Sequence, residues 1–217
     1  MIRLLLALAL ASPAAAQTTP EAAIAAAIAY LDDHNRHDLA ATMAHYDEGA
    51  AFQLSMGRAR VAGLVAITEL ERFDAVAGSI LVPFGWSATR LPDGKGWAVS
   101  VKGVLEHSRI FSAVGLPIVI AVPQAPVFHI RDGRITYSHQ PPLQSACLAP
   151  IAAAFTGLAK WLTDTASPLA PALLKEGRLD LQPATLPVIE AQLARWRQAS
   201  GWSPTPAQLR ACAKLPD

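Results

Sequence analysis

One stretch, residues 24–63 (IAAAIAYLDDHNRHDLAATMAHYDEGAAFQLSMGRARVAG), narrows the possible folds more than any other part of the chain. Ile24, Ala27, Ile28 and Leu31 recur at helical spacing and form one apolar stripe. Thr18-Thr-Pro-Glu21 starts that helix with a Thr cap, a Pro in the first turn and a Glu three residues after Thr18. Residues 35–38 make a tight corner, Asp38 caps a second helix, and Asp47-Glu48-Gly49 leads into a strand.

Leu64, Ile67, Leu70 and Phe73 give a third helix its buried face, and Gly78 ends it. The period then changes. Residues 80–90 and 97–107 flank the turn cluster Pro92-Asp-Gly-Lys-Gly96, and residues 119–130 and 135–139 flank Arg131-Asp-Gly-Arg134. These read as two hairpins. The order helix, helix, strand, helix, four strands is that of an α+β fold, an antiparallel sheet with helices collected on one side. After Pro141-Pro142 the strands stop. Residues 148–163, 169–175, 185–199 and 206–214 read as helices, split by Pro168, Gly177 and Ser200-Gly201. Their apolar faces (Ile151, Phe155, Leu158, Leu162; Leu186, Ile189, Leu193, Trp196) need a covering surface. Plain packing on the sheet, a lid over a pocket and a dimer face each meet that need, so a homodimer stays open.

The chain begins with one cation, Arg3, an apolar run at residues 4–11 and an Ala-x-Ala site ending at Ala16. That is the pattern of a cleaved export signal, residues 1–16, with no following Cys to carry a lipid anchor. The organisation expected is therefore a signal peptide at 1–16, an α+β barrel at 17–141 and a helical extension at 142–217, in a secreted or periplasmic protein. The 18 basic residues against 17 acidic ones, fewer by one after loss of Arg3, leave no basic patch for nucleic acid. The uncharged run at 110–130 holds Pro117, Pro123 and Pro126, which argue for strand and loop over a membrane helix. Two cysteines in an exported chain imply a disulfide, Cys147–Cys212, whose loop of roughly 64 residues makes it worth about 4 kcal/mol on chain entropy.

Asn35, Asp38-Leu39, Tyr46, Asp47-Glu48, Ala51-Phe52, Arg60-x-x-Gly63 and the segment Val127-Phe-His-Ile-Arg-Asp-Gly-Arg-Ile135 follow one another as in a known family. Over roughly residues 20–139 the chain resembles the NTF2-like superfamily, in its branch of SnoaL-like polyketide cyclases and ketosteroid-isomerase-like proteins. The resemblance implies a cone-shaped, curved sheet wrapped on the N-terminal helices, with a pocket inside the cone. The helical extension is not part of the usual family pattern.

The resemblance also implies where chemistry would sit. Tyr30 falls at the isomerases' oxyanion-donor position, but Leu54 falls at the base position and Pro126 near that of the second acid. A leucine cannot move a proton, so that mechanism is disfavoured and the cup is expected to lack its acid. The acid–Arg–acid set of the epoxide-hydrolase branch is incomplete too: Glu106 and Arg109 are in its region, but Ser138-His139-Gln140-Pro141 stands where its last acid would be. His34 and His37 flank the corner without enough convergent ligands for a metal, and no cofactor motif is present. His107 and His139, with Glu106, are the candidate catalytic residues, and His107, Tyr137 and His139 would meet if their strand faces are concave. The pocket is expected to hold a small apolar molecule between Tyr30, Phe52, Leu54, Trp86, Phe128 and Tyr137. A binding module, an enzyme using a strand His and a barrel filled by its own side chains all fit these residues.

Overall fold

Helix α1 (Pro20–Asn35) begins the computed structural model, which describes residues 19–54 and 60–214. The proposed export signal and Thr18 lie outside the described residues; Thr19 caps the helix, its hydroxyl accepting from the Ala22 N–H at 3.2 Å. The stripe α1 buries is Ala23, Ala27, Tyr30, Leu31 and His34, while Ile28 is exposed. The helix is thus rotated from the face expected at Ile24 and Ile28. Its two alanines let it approach the sheet closely, and its polar Tyr30 and His34 turn inward.

Asp38 caps α2 (Leu39–Ala44) through the Ala41 N–H. The chain continues as β1 (Tyr46–Gln53), β2 (Arg60–Ala62) and α3 (Leu64–Ala77), which stops at Gly78 with φ 64°. The Asn35 side chain both donates to and accepts from the Leu81 backbone at 2.8 Å, fastening the corner to the sheet as a strand neighbour would.

The two long strands expected at 80–90 and 97–107 are each broken in two: β3 (Ile80–Phe84) and β4 (Ser87–Arg90), then β5 (Trp97–Ser100) and β6 (Gly103–His107). Gly85 makes the first bend at φ 68°, and the Phe84 ring lies where a Cβ on Gly103 would be, 2.5 Å away. The expected strand at 119–130 is also split, into β7 (Val119–Ala121) and β8 (Phe128–Arg131), by the segment holding Pro123 and Pro126. A short helix missing from the sequence reading, α4 (Arg109–Val114), is capped by Ser108. β9 (Arg134–His139) completes the sheet region.

The strands form a six-stranded sheet, β2-β1-β9-β8-β5-β4, and a three-stranded one, β3-β6-β7. All neighbours are antiparallel except β1 and β9. The bends at 85–86 and 101–102 carry the chain from one sheet to the other, which is how the surface curves. The architecture is the expected α+β curved sheet with helices, but the barrel does not close.

The extension holds α5 (Ser145–Asp164), α6 (Ala170–Leu173), the hairpin β10 (Leu174–Lys175) and β11 (Arg178–Leu179), α7 (Leu186–Ser200) and α8 (Pro206–Cys212). The expected helix at 169–175 is therefore half as long, its last residues being the first strand of the hairpin. The Cys147–Cys212 disulfide ties the start of α5 to the end of α8. One apolar cluster fills the space between α1 and the sheet, around Val99, Ile130 and Ile135. A second joins Leu158, Leu162, Ile189 and Leu193 of the extension to Ala77 and Val114 of the sheet region. Trp196 seats against Gly157, where an added Cβ would lie 2.2 Å from its ring.

Candidate active site

Ile67, Glu71 and Asp74 are spaced four and three residues apart on α3, so they share the face turned to the sheet. Glu71 is almost fully buried, at 3 % exposure. A carboxylate there requires donors, and the surrounding elements supply three. Tyr30 of α1 and Tyr46 of β1 donate to Oε1 at 2.8 and 2.7 Å. His34 Nδ1 lies 3.0 Å from Oε2. Ser138 Oγ of β9 is 3.4 Å from the Tyr46 hydroxyl. Burial first, and then the Glu71 charge, holds both tyrosines well above their ordinary range, so they remain donors. Burial alone would depress His34, but its hydrogen bond to Glu71 and the charges of Glu71, Asp74 and Glu106 outweigh that and raise it.

One turn further along α3, Asp74 stands between two connected cavities. The inner one, about 50 Å³, is lined by Tyr30, His34, Phe128 and His139 together with Asp74 and Glu106. The outer chamber, about 150 Å³, shares Asp74, Ser79, Glu106 and Gln140 with it and is otherwise walled mainly by apolar side chains, including Phe73, Phe111, Ile151 and Phe155. Surface area rates both carboxyls as partly covered, but they line these cavities, so electrostatically they behave as buried groups. Burial pushes Asp74 up to about 7; His34 pulls it down and Glu71 pushes it back up. Burial also pushes Glu106 up to about 7, with repulsion from Asp74 adding to it against His34 and a hydrogen bond from Ser79. Two ring nitrogens in the same inner cavity, His34 Nε2 and His139 Nδ1, are buried without a hydrogen-bond partner among the described residues. Burial lowers His139.

The residues named from sequence are spread more widely than expected. Tyr30, Phe52, Glu106, Phe128 and His139 line the inner cavity. Leu54 and Trp86 pack against the apolar cluster of the sheet and line neither cavity. Tyr137 lies against His129, ring centres 4.8 Å apart, with the Arg60 guanidinium 6.0 Å from its ring. His107 is bonded through Nδ1 to the Pro117 carbonyl at 2.7 Å. The expected meeting of His107, Tyr137 and His139 does not occur, because alternation along β6 sends His107 away from the cavity that Glu106 faces. Arg109 is about half-exposed and reaches Val76 O and Glu190, so it forms no set with Glu106.

The cup expected to lack an acid holds three. Glu71 and Asp74 follow Ile67 at helical spacing, but only the packed position of α1 shows that this face is the buried one. A larger cavity, about 640 Å³, lies elsewhere, between α5 and the β10–β11 hairpin. It has no pair of buried titratable groups, so the smaller polar cavity is the better site.

No family model and no curated relative matches the chain. Several solved structures are similar to it over part of its length. A candidate polyketide cyclase from Xanthomonas campestris pv. campestris is 21% identical, with a TM-score of 0.39, covering 56% of this chain and 91% of its own. A candidate ketosteroid isomerase from Kribbella flavida is 19% identical, with a TM-score of 0.43, covering 58% and 87%. An LEH-like epoxide hydrolase from M. tuberculosis is 21% identical, with a TM-score of 0.39, covering 56% and 79%. At these identities and TM-scores no residue role passes from them to this chain.

Proposed function

We propose that this chain is an acid–base enzyme that binds a small, mainly apolar molecule and moves a proton on it with Asp74 and Glu106. The observation that carries the reading is the placement of these two carboxyls, each raised to about 7, at the junction of a polar cavity and an apolar chamber. A general acid or base works best with a pKa near the working pH. Two interacting carboxyls titrate as a pair, so near neutrality one proton is shared between them. The protonated member donates to the ligand while the ionised member accepts from it. His34 is oriented by Glu71 through Nδ1, which leaves Nε2 as the atom available to a ligand oxygen. The apolar wall of the chamber suits a hydrocarbon body with one polar end. The expectation of a cup without acids spoke for binding without chemistry, and that ground is gone. Export is part of the same proposal: the Cys147–Cys212 disulfide is of a kind that persists in oxidising compartments, and residues 1–16 have the composition of a cleaved signal.

Native mass spectrometry of the protein purified from its own host identifies a co-purified molecule, which then serves as substrate for wild type, Asp74→Asn and Glu106→Gln. The expected result is binding by all three and turnover by wild type alone. Turnover by both variants at the wild-type rate would remove the carboxyls from the chemistry. A native mass of secreted protein starting elsewhere than Gln17 would remove the proposed cleavage.

A further inference from the structure

Three cavities adjoin one another through shared side chains. The inner cavity and the chamber meet at Asp74 and Glu106, and the chamber and the large groove both touch Phe155. On α5 the chamber uses Leu148, Ile151 and Phe155, one stripe at helical spacing, whereas the groove uses Ala152, Phe155, Ala159 and Thr163 and runs further toward the end of the helix. Leu179, the last residue of the hairpin, lines the groove, and Leu181, just beyond it, lines the chamber. A partition made of the Phe155 ring and the 179–181 segment therefore separates the open groove from the carboxyls.

Size makes that partition matter. The inner cavity and chamber hold about 50 and 150 Å³. Even added together they fall short of the roughly 300 Å³ at which ordinary ligand pockets begin. The groove, at about 640 Å³, has the missing room. We infer that ligands reach Asp74 and Glu106 through the groove between α5 and the β10–β11 hairpin, with the Phe155 ring as the gate. The ligand class is an elongated apolar molecule whose polar end sits at the carboxyls and whose body lies past Phe155. This rests on the acid–base reading of the site and adds to it the role of the helical extension: it sets which molecules enter.

The gate is a side chain on a fixed frame. Around Phe155 the helix is fixed: Ala154, Leu158 and Leu162 are buried, the start of α5 is held by the disulfide, and Trp196 seats against Gly157. Phe155 itself is only half-buried, with the small Ala152 and Ala159 beside it in the groove. A change of rotamer moves the ring toward the groove without moving the backbone.

The probe is diisopropylcarbodiimide, a small uncharged reagent. The acid's O–H proton goes to one reagent nitrogen, the carboxylate oxygen bonds to its central carbon, and rearrangement leaves a stable N-acylurea carrying the whole reagent mass. Labelling of Asp74 and Glu106 is followed at pH 6 by peptide mass spectrometry in the full chain. Phe155→Ala should label about tenfold faster than wild type, the scale of a removed rotamer barrier, and Phe155→Trp more slowly. Phe155→Leu, which keeps a large apolar side chain, should fall between Ala and Phe, and melting curves check that each variant is folded. Equal rates in all four proteins would overturn the gate while leaving the carboxyl pair in place. So would a His139→Trp variant that slows labelling while Phe155→Trp does not, since the route would then pass the far end of the inner cavity. Failure of every variant to label either carboxyl would overturn both the gate and the reading of the pair as protonated and reachable.

Discussion

Glu71 and Asp74 sit one turn apart on the same helix, both facing away from water, and the fold treats them in opposite ways. Glu71 receives hydrogen bonds from Tyr30, Tyr46 and His34, which come from α1 and β1. Asp74 accepts no side-chain hydrogen bond among the described residues, and burial drives it toward its neutral form. A carboxylate with its lone pairs filled joins elements together and has nothing left to offer a ligand. One whose charge is opposed by its surroundings costs stability at neutral pH and can exchange a proton there. Distance along the chain has little to do with the difference; the donors provided by α1 and β1 decide it.

The most drastic way to break the contrast is Glu71→Ala. Removing the acceptor leaves the two buried tyrosine hydroxyls only their longer contacts with each other and with Ser138, and takes the partner from His34 Nδ1; a loss of about 3–5 kcal/mol is expected, read as a fall in melting temperature or denaturant midpoint. Glu71→Gln keeps one acceptor oxygen and should lose less. If Glu71→Ala unfolds no more easily than wild type, the clamp is not what joins α3 to α1 and β1.

Asp74→Asn should do the reverse. Its folded carboxyl titrates near 7 against 3.8 when free, and Glu106 near 7 against 4.5. Between those values the folded chain binds more protons than the unfolded one. Wild-type stability is therefore greatest below about pH 4 as far as these groups decide, and it falls as pH rises to about 7. His34, raised above 6.5, adds to the fall in the same direction. Each pKa unit is worth about 1.4 kcal/mol, so Asp74→Asn should stabilise the protein by roughly 2–4 kcal/mol at pH 8 and by little at pH 4. Glu106→Gln should behave alike, and the double variant should gain less than the sum because each relieves the other's repulsion. Thermal melts across pH 4 to 8 check this. A wild-type stability that rises across the range would mean both carboxyls are ionised and well solvated in the folded state.

The same contrast explains how far the sequence could be read. The change of period after Gly78 is strong, so the α+β class and the separate helical tail are legible. The bends at Gly85 and at residues 101–102 are not, because a bent strand keeps its alternation on each side and only the packed structure shows which half joins which sheet. At the site, Glu106 and His139 stood out as polar residues in strands. Tyr30 stood out on a helix by resemblance, although its hydroxyl serves Glu71. Glu71 and Asp74 are not legible, because a charged residue beside Leu70 or Phe73 on a helix normally marks its wet face, and the apolar stripe expected from sequence runs through Leu70 and Phe73. Tracing it through Ile67, Glu71 and Asp74 needs the position of α1, which supplies the donors and carries no mark of its own near α3 in the chain. Leu54 was taken as the floor of the cup because the acid was sought on a strand; the helix provides it.

The finest test of the comparison removes one donor and leaves the rest. Tyr46→Phe keeps the ring, which meets Tyr30 edge-on with centres 5.5 Å apart, and deletes only the hydroxyl that donates to Glu71 at 2.7 Å. A hydrogen bond to a charged acceptor is worth about 1.5–3 kcal/mol, and Glu71 keeps Tyr30 and His34, so a loss of about 1–2 kcal/mol is expected. The clamp also lowers the cost of charge beside the pair. With one donor gone, less of the Glu71 charge is offset by hydrogen bonds. Asp74 would then feel more repulsion, so its titration, followed by carbon-detected NMR of labelled Asp side chains, should shift up. A Tyr46→Phe protein that loses stability while the Asp74 titration stays put would make the clamp and the pair independent neighbours. A shift upward would make Glu71, three residues away on the helix, the group that tunes the proton on Asp74.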